Sequence, residues 1–227
     1  MDKTNENDGI GESINSFIQK HRKPIYVSAG VVLLLLIMCI AAFSLMDVFR
    51  GKAITAVEEL GGRYEALHDT INEDYSSVDV ATLLEDLEKF AQKNSGYPGS
   101  RAWTLIARIH SDQKNWPDAE TAWIAAAGKA RNTYLAPVAW FNAAAAAEEQ
   151  GKTEEAIIYY SSSISSPAGF PSASRAQFSI GRLRESLNED EEAITAYRAV
   201  ISGWPHDTTW TNLAHSRIIA LETKGET

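Results

Sequence analysis

The sequence predicts an all-α protein in which a single N-terminal transmembrane helix is followed by an α-solenoid of helix pairs. Three observations carry that prediction. The first is internal repetition: Lys114-Asn115-Trp116-Pro117-Asp118-Ala119, Gly151-Lys152-Thr153-Glu154-Glu155-Ala156 and Asn188-Glu189-Asp190-Glu191-Glu192-Ala193 superimpose at a step of 37 residues. The second is a run of 23 residues without a charge, from Pro24 to Met46. The third is the spacing of apolar residues elsewhere, which follows the three- and four-residue recurrence of a helix face.

Residues 1–19 read as a polar cytoplasmic tail with a short amphipathic segment. The first nine carry Asp2, Glu6, Asp8 and Gly9 and have too little apolar content to fold. Ile10, Ile14, Phe17 and Ile18 then recur at helical spacing, as a short helix in the membrane interface or as the start of the span itself. Residues 20–46 combine a basic flank (Lys20, His21, Arg22, Lys23) with the transmembrane helix. About 20 apolar residues cross the hydrocarbon core as a helix, so this run suffices with some tilt. Lys and Arg are denser before the run than at Arg50 and Lys52 after it, which puts the N-terminus in the cytoplasm and the large domain on the far side. The apolar core is longer than that of a cleaved signal peptide, and the best cleavage candidate, Ala41-Ala42, is followed by Phe43, Leu45 and Met46. Met38 and the apolar residues after Cys39 argue against a lipoprotein processing site. Cys39 reads as a small apolar residue in the span and, as the sole cysteine, excludes internal disulfides.

Residues 47–98 hold a long helix and its partner. Ile54, Val57, Leu60, Tyr64, Leu67 and Ile71 share one side of a helix over 48–71, weakened by Gly61-Gly62. Leu83, Leu84, Leu87 and Phe90 mark the partner, ending at Asn94-Ser95-Gly96-Tyr97-Pro98. Residues 99–206 are three repeats of two helices each. Small residues on helix A (Ala107, Ala144, Gly181) and helix B (Ala119, Ala156, Ala193) let backbones approach, and Trp123, Tyr160 and Tyr197 fill the space around them. Residues 207–227 supply a capping helix with Trp210, Leu213, Ala214, Ile218 and Leu221 on its apolar side.

This pattern resembles the tetratricopeptide repeat. The first repeat matches at Trp103, Ile106-Ala107, Trp116, Ala119, Trp123 and Ala126, with His110 at the family's tyrosine; the third matches at Ile180-Gly181, Ala193, Tyr197 and Pro205, with Gln177 at the family's tryptophan. The family's period is about 34 residues, so the inter-repeat loops around Asn132-Thr133 and Ser165-Ser166-Pro167-Ala168-Gly169 are where the extra residues belong. The layout of acidic head, basic cluster, membrane helix, long helix and repeats also resembles the YfgM family. The sequences Tyr64-Glu65-Ala66-Leu67 and Leu87-Glu88-Lys89-Phe90-Ala91-Gln92-Lys93-Asn94 carry that likeness. It implies an inner-membrane protein with periplasmic repeats, ancillary to the Sec translocon and working with a periplasmic prolyl-isomerase-like chaperone.

Beyond residue 46 there are 26 acidic and 17 basic residues, so this domain carries the whole formal charge of −9. That balance disfavours nucleic acid and leaves residues 24–46 as the expected lipid contact. No nucleophile motif, Gly-rich phosphate loop or metal-ligand spacing occurs, so neither an enzyme nor a cofactor is expected. His206, Asp207 and His215 read as a loop and the helix turn after it. Glu148-Glu149, Glu154-Glu155 and Glu191-Glu192 read as solvated helix ends.

Function then rests on a binding surface. Resemblance to tetratricopeptide domains implies a concave groove lined by helix A, at Arg101, Thr104, Leu105 and Arg108, then Val138, Phe141, Asn142 and Ala145, then Arg175, Phe178, Ser179 and Arg182. Arginine supplies forked donors and phenylalanine apolar contact. Asn142 and Arg175 match the family's carboxylate clamp, whereas Thr104, Arg108 and Ser179 depart from it. The same arginines could instead pair with Glu148, Glu149 and Glu185. The expected role is a membrane-tethered periplasmic interaction module holding a chaperone or emerging polypeptide near the Sec translocon. The alternative is a scaffold for outer-membrane or cell-wall machinery.

Overall fold

A computed structural model describes residues 5–69, 77–130 and 133–224, with side-chain surroundings from residue 19 onward apart from residues 25, 29, 68–69 and 77–78. Side-chain expectations for residues 10–18, and for Ile71, lie outside the described residues. Among the described residues all regular structure is helical: α1 (Asn5–Asp69), α2 (Ser77–Lys93), α3 (Gly96–Asp112), α4 (Trp116–Lys129), α5 (Leu135–Glu148), α6 (Thr153–Ile164), α7 (Ala173–Ser186), α8 (Asp190–Gly203) and α9 (Thr208–Lys224). The chain divides into two compact units, Met1–Lys52 and Ala53–Thr227.

The first unit is the leading part of α1. His21 interrupts it with non-helical angles (φ −109°, ψ 15°), and Pro24 follows three residues later. Proline removes a backbone donor and crowds the carbonyl four residues back, which accounts for the break. Beyond it the described apolar side chains from Tyr26 to Phe49 are all exposed. The helix is long and apolar enough to cross a membrane.

In the second unit the predicted faces are the ones turned inward, except that Leu213, expected on the apolar side of the capping helix, is exposed. Val57 and Tyr64 of α1 join Val80, Leu83, Leu87 and Ala91 of α2 and the inner residues of α3 and α4 in one cluster. The Gly61-Gly62 pair does not end α1: Gly61 is buried, and a side chain there would meet Arg101 and Leu105. The breaker stretch after α2 is shorter than expected, because α3 already starts at Gly96. Pro98 is tolerated there, in a first turn whose backbone donors lack helical partners.

From α3 onward the helices pair as α3/α4, α5/α6 and α7/α8, each pair packs on the next, and α9 covers α8. The turn inside each pair is the same. Lys114, Gly151 and Asn188, one per repeat, adopt φ of 57°, 71° and 59°. Their N–H groups bond the carbonyls three residues back, at 2.9, 2.9 and 3.0 Å, and the next residue's N–H reaches five back, at 2.8, 3.0 and 3.0 Å. This is the Schellman ending of helix A. With the turns inside the pairs alike, the variation in length falls in the connections between pairs, of which the longest described is residues 165–172.

All five predicted alanines at the helix contacts, Ala107, Ala119, Ala144, Ala156 and Ala193, are fully buried. Gly181 shows why the third repeat departs from alanine: a Cβ there would stand 2.5 Å from the Tyr197 ring. Tyr197 has no exposed surface and anchors a cluster with Val200, Ala214, Ile218 and Leu221.

Candidate protein-binding face

The predicted site residues fall into two groups. On α3, Arg101 and Arg108 turn toward α1 rather than toward open solvent. Arg101 pairs with Glu58 at 3.6 Å and Arg108 with Glu65 at 3.4 Å. The Arg108 guanidinium also lies 4.7 Å from the centre of the Tyr64 ring. Tyr97 donates to Glu58 at 2.7 Å, Tyr64 donates to Asp112 at 2.8 Å, and Leu105 is fully buried. The Thr104 hydroxyl donates to the Ser100 carbonyl within its own helix. The α1 segment thus covers the first repeat's share of the face.

On α5 and α7 the face is open. Phe141 packs edge-on against Tyr160 at 5.1 Å and beside Phe170 at 5.5 Å. The Arg175 guanidinium rests 5.1 Å from the Phe141 ring, is exposed, and meets no carboxylate among the described residues. Val138 is exposed on the same helix, and Asn142 donates to the Val138 carbonyl at 2.8 Å. Phe178 packs against Tyr197 at 5.1 Å and Trp210 at 5.3 Å. Both phenylalanines are half-buried. Each rests on a buried tyrosine of its own helix pair, Tyr160 for Phe141 and Tyr197 for Phe178.

Arg182 pairs with Glu148, which also accepts the Tyr160 hydroxyl at 2.6 Å. One repeat later Glu185 accepts the Tyr197 hydroxyl at 3.0 Å and pairs with Arg217 of α9. A glutamate near the end of helix A therefore binds a tyrosine of its own helix B and an arginine of the next helix. Glu148 and Glu185 stand one repeat step apart, as do Tyr160 and Tyr197, so the periodicity held this signal. Of the two expectations for Glu148, a solvated helix end and a partner of the groove arginines, the second holds, because the stacking of helices brings Arg182 within reach. Burial, then the Glu185 hydrogen bond, pushes the Tyr197 phenol up to about 12; Tyr160 is raised by burial and Glu148 in the same way.

Phe178, Arg182, Glu185, Ser186, Tyr197 and Arg217 line an open cavity of about 440 Å³ at this end of the face. It offers an aromatic wall and two guanidinium groups whose charges are already balanced by Glu148 and Glu185. Such a surface suits an extended or helical protein segment that buries apolar groups and trades hydrogen bonds with the ion pairs. Among the described residues no three His, Cys, Asp or Glu side chains are placed to hold a metal. Asp207 is occupied structurally, accepting from Ser174 at 2.6 Å and from the backbone N–H of Trp210; His206 and His215 are exposed.

Residues 104–170 and residues 175–207 each match the tetratricopeptide repeat family. The chain is 29% identical over 227 positions to a TPR repeat-containing protein of Treponema pallidum (strain Nichols), an alignment covering 93% of this chain and 94% of that one. Solved structures similar to it include an Arabidopsis OM64 TPR domain, 20% identical with a TM-score of 0.43 over 53% of this chain and 94% of that chain. Another is MamA, 18% identical with a TM-score of 0.48 over 66% of this chain and 81% of that chain. Residues 104–170 and 175–207 thus carry tetratricopeptide repeats.

Proposed function

We propose that this protein is a membrane-tethered protein-interaction module, with residues 24–46 spanning the inner membrane, the N-terminus in the cytoplasm and the repeats in the periplasm. Tetratricopeptide domains bind protein partners, and the observation that carries the reading here is the face of α5, α7 and α9. There, among the described residues, Val138, Arg175 and Arg182 are exposed and Phe141 and Phe178 are half-buried beside them. The exposed apolar stretch of α1 supports the tether, and the basic flank supports the orientation. The likeness of residues 64–67 and 87–94 to the YfgM family supports a place beside the Sec translocon, holding a periplasmic chaperone or an emerging polypeptide.

Photocrosslinking in intact membranes tests this. A crosslinking amino acid at Val138 or Arg175, both exposed, should trap a partner that the same group at Ser202 on α8 does not. Translocon subunits or a periplasmic chaperone support the proposal. Subunits of outer-membrane or cell-wall machinery replace it with the scaffold reading, cytoplasmic partners overturn the orientation, and equal yields from all three positions remove the face from consideration.

A further inference from the structure

On α7 the residues turned away from Phe178 and Arg182 border a second opening, which belongs to none of the surfaces above. Gln177, Ile180 and Arg184 of α7, with Glu191, Glu192, Thr195, Ala196 and Ala199 of α8, line a cleft of about 370 Å³. Ligand pockets begin at about 300 Å³.

The repeat register says what the cleft lacks. Stepping back one repeat from Gln177 and Ala196 leads to Trp140 and Tyr159, whose rings stack at 5.6 Å with 25° between their planes. One repeat thus fills this place with two aromatic side chains, and the next puts a glutamine and an alanine there. The Gln177 amide donates to the Ala196 carbonyl at 3.3 Å across the gap, and the rest of the floor is Ile180, Ala196 and Ala199. A cleft left by the loss of two aromatic rings has the depth and apolar floor for one.

The rim supplies the second term. Arg184 is committed to Glu189 at 2.6 Å. Glu191 and Glu192 are exposed and make no ion pair among the described residues. Their position in the first turn of α8 suits the helix dipole, but it leaves two uncompensated carboxylates beside an apolar floor. An aromatic group flanked by cations satisfies both features; an acidic segment satisfies neither.

We propose that this cleft docks an aromatic side chain carried next to lysine or arginine on a partner protein, at a place separate from the face of α5, α7 and α9. The test uses the full chain in detergent micelles and a fluorescein-labelled peptide with one tryptophan between two lysines, read by anisotropy. Saturable binding is expected, weakened at least about tenfold when the tryptophan is replaced by alanine, as for an aromatic anchor denied its pocket. Replacing the lysines by glutamate should abolish it.

The double variant Gln177→Trp with Ala196→Tyr restores the stack of the preceding repeat and should melt no lower than the parent while losing the peptide. Glu191→Gln with Glu192→Gln, at exposed positions, should weaken binding several-fold, and less so at high salt. Equal binding by the parent and the filled variant would mean partition into micelles and overturns the proposal. Absence of saturable binding by the parent overturns it as well. If the filled variant does not fold, the glutamine pair and the alanine peptide decide, and unchanged binding in either refutes the assignment.

Discussion

The junction between the first two repeats and the junction between the second and third share a backbone plan and solve the packing problem differently. Between α4 and α5/α6 a buried carboxylate, Glu120, accepts hydrogen bonds from Gln150 at 2.7 Å, Lys152 at 2.7 Å and Tyr159 at 3.1 Å, and Trp140 stacks on Tyr159. One step along, the corresponding residues are Ile157, Leu187, Glu189 and Ala196. The polar hub is gone, Glu189 has turned to Arg184, and the stack has become a cleft. α7 also packs on α6 less extensively than α5 packs on α4. In a solenoid each interface contributes separately to stability, so a chain of near-identical repeats can hold one tight junction and one loose one. The cleft of the third pair is lined by residues of α7 and α8.

The largest test of that difference is Tyr197→Ala. Truncating a buried aromatic costs about 3 to 5 kcal/mol, and here the loss falls beyond the loose junction. Amide exchange should show α7, α8 and α9 losing protection while α3 to α5 keep theirs. Uniform loss across the domain would mean the two junctions are equally strong.

A smaller effect is expected from Ala156→Leu. Ala156 is fully buried among Ala144, Ala147, Ala176 and Ile180, and overpacking such a contact costs about 1 to 3 kcal/mol. Protection should fall in α5, α6 and α7 together, since the residue lies between them. A melting temperature that does not move places Ala156 outside the close contact and breaks the register.

The gentlest probe is pH, because acid and alkali act on different groups. Burial pushes the Glu120 carboxyl up, but the hydrogen bonds from Lys152, Gln150 and Tyr159 outweigh it and hold it below its usual range. Its contribution is therefore present above the unfolded carboxylate value, about 4.3, and is lost as pH falls through the folded value. Tyr197 is shifted the other way: its contribution is present below the unfolded phenol value, about 10, and is lost as pH rises toward the folded value of about 12. Glu120→Gln should flatten the acid limb of stability against pH and leave the Tyr197 share of the alkaline limb. An acid limb that survives the substitution assigns it to other carboxylates.

The fold was legible because its causes are local. Apolar residues at helical spacing define each helix face. Small residues at a fixed step mark where two backbones touch, and both facts are visible in any stretch of about 37 residues. Ala107, Ala119, Ala144, Ala156 and Ala193 are buried for the reason the spacing gives, and Gly181 is glycine because Tyr197 leaves no room for a methyl group.

The site was only half legible. Its phenylalanines and arginines could be placed on helix A by counting, yet counting assigns no partner. Glu58 and Glu65 reach Arg101 and Arg108 from 43 residues away, and Glu148 reaches Arg182 from 34. Those separations become contacts only when neighbouring helices stack at one particular offset. By itself the sequence determined the periodicity of the helix faces, the repeat, the apolar run and the acidic charge. The tertiary structure decided which charges are already paired, that α1 covers the first repeat's face, and that Gln177 and Ala196, 19 residues apart, border an opening. The physical reason is that periodicity fixes which side of a helix a residue takes, whereas the distance between two helices' side chains depends on how the helices are packed.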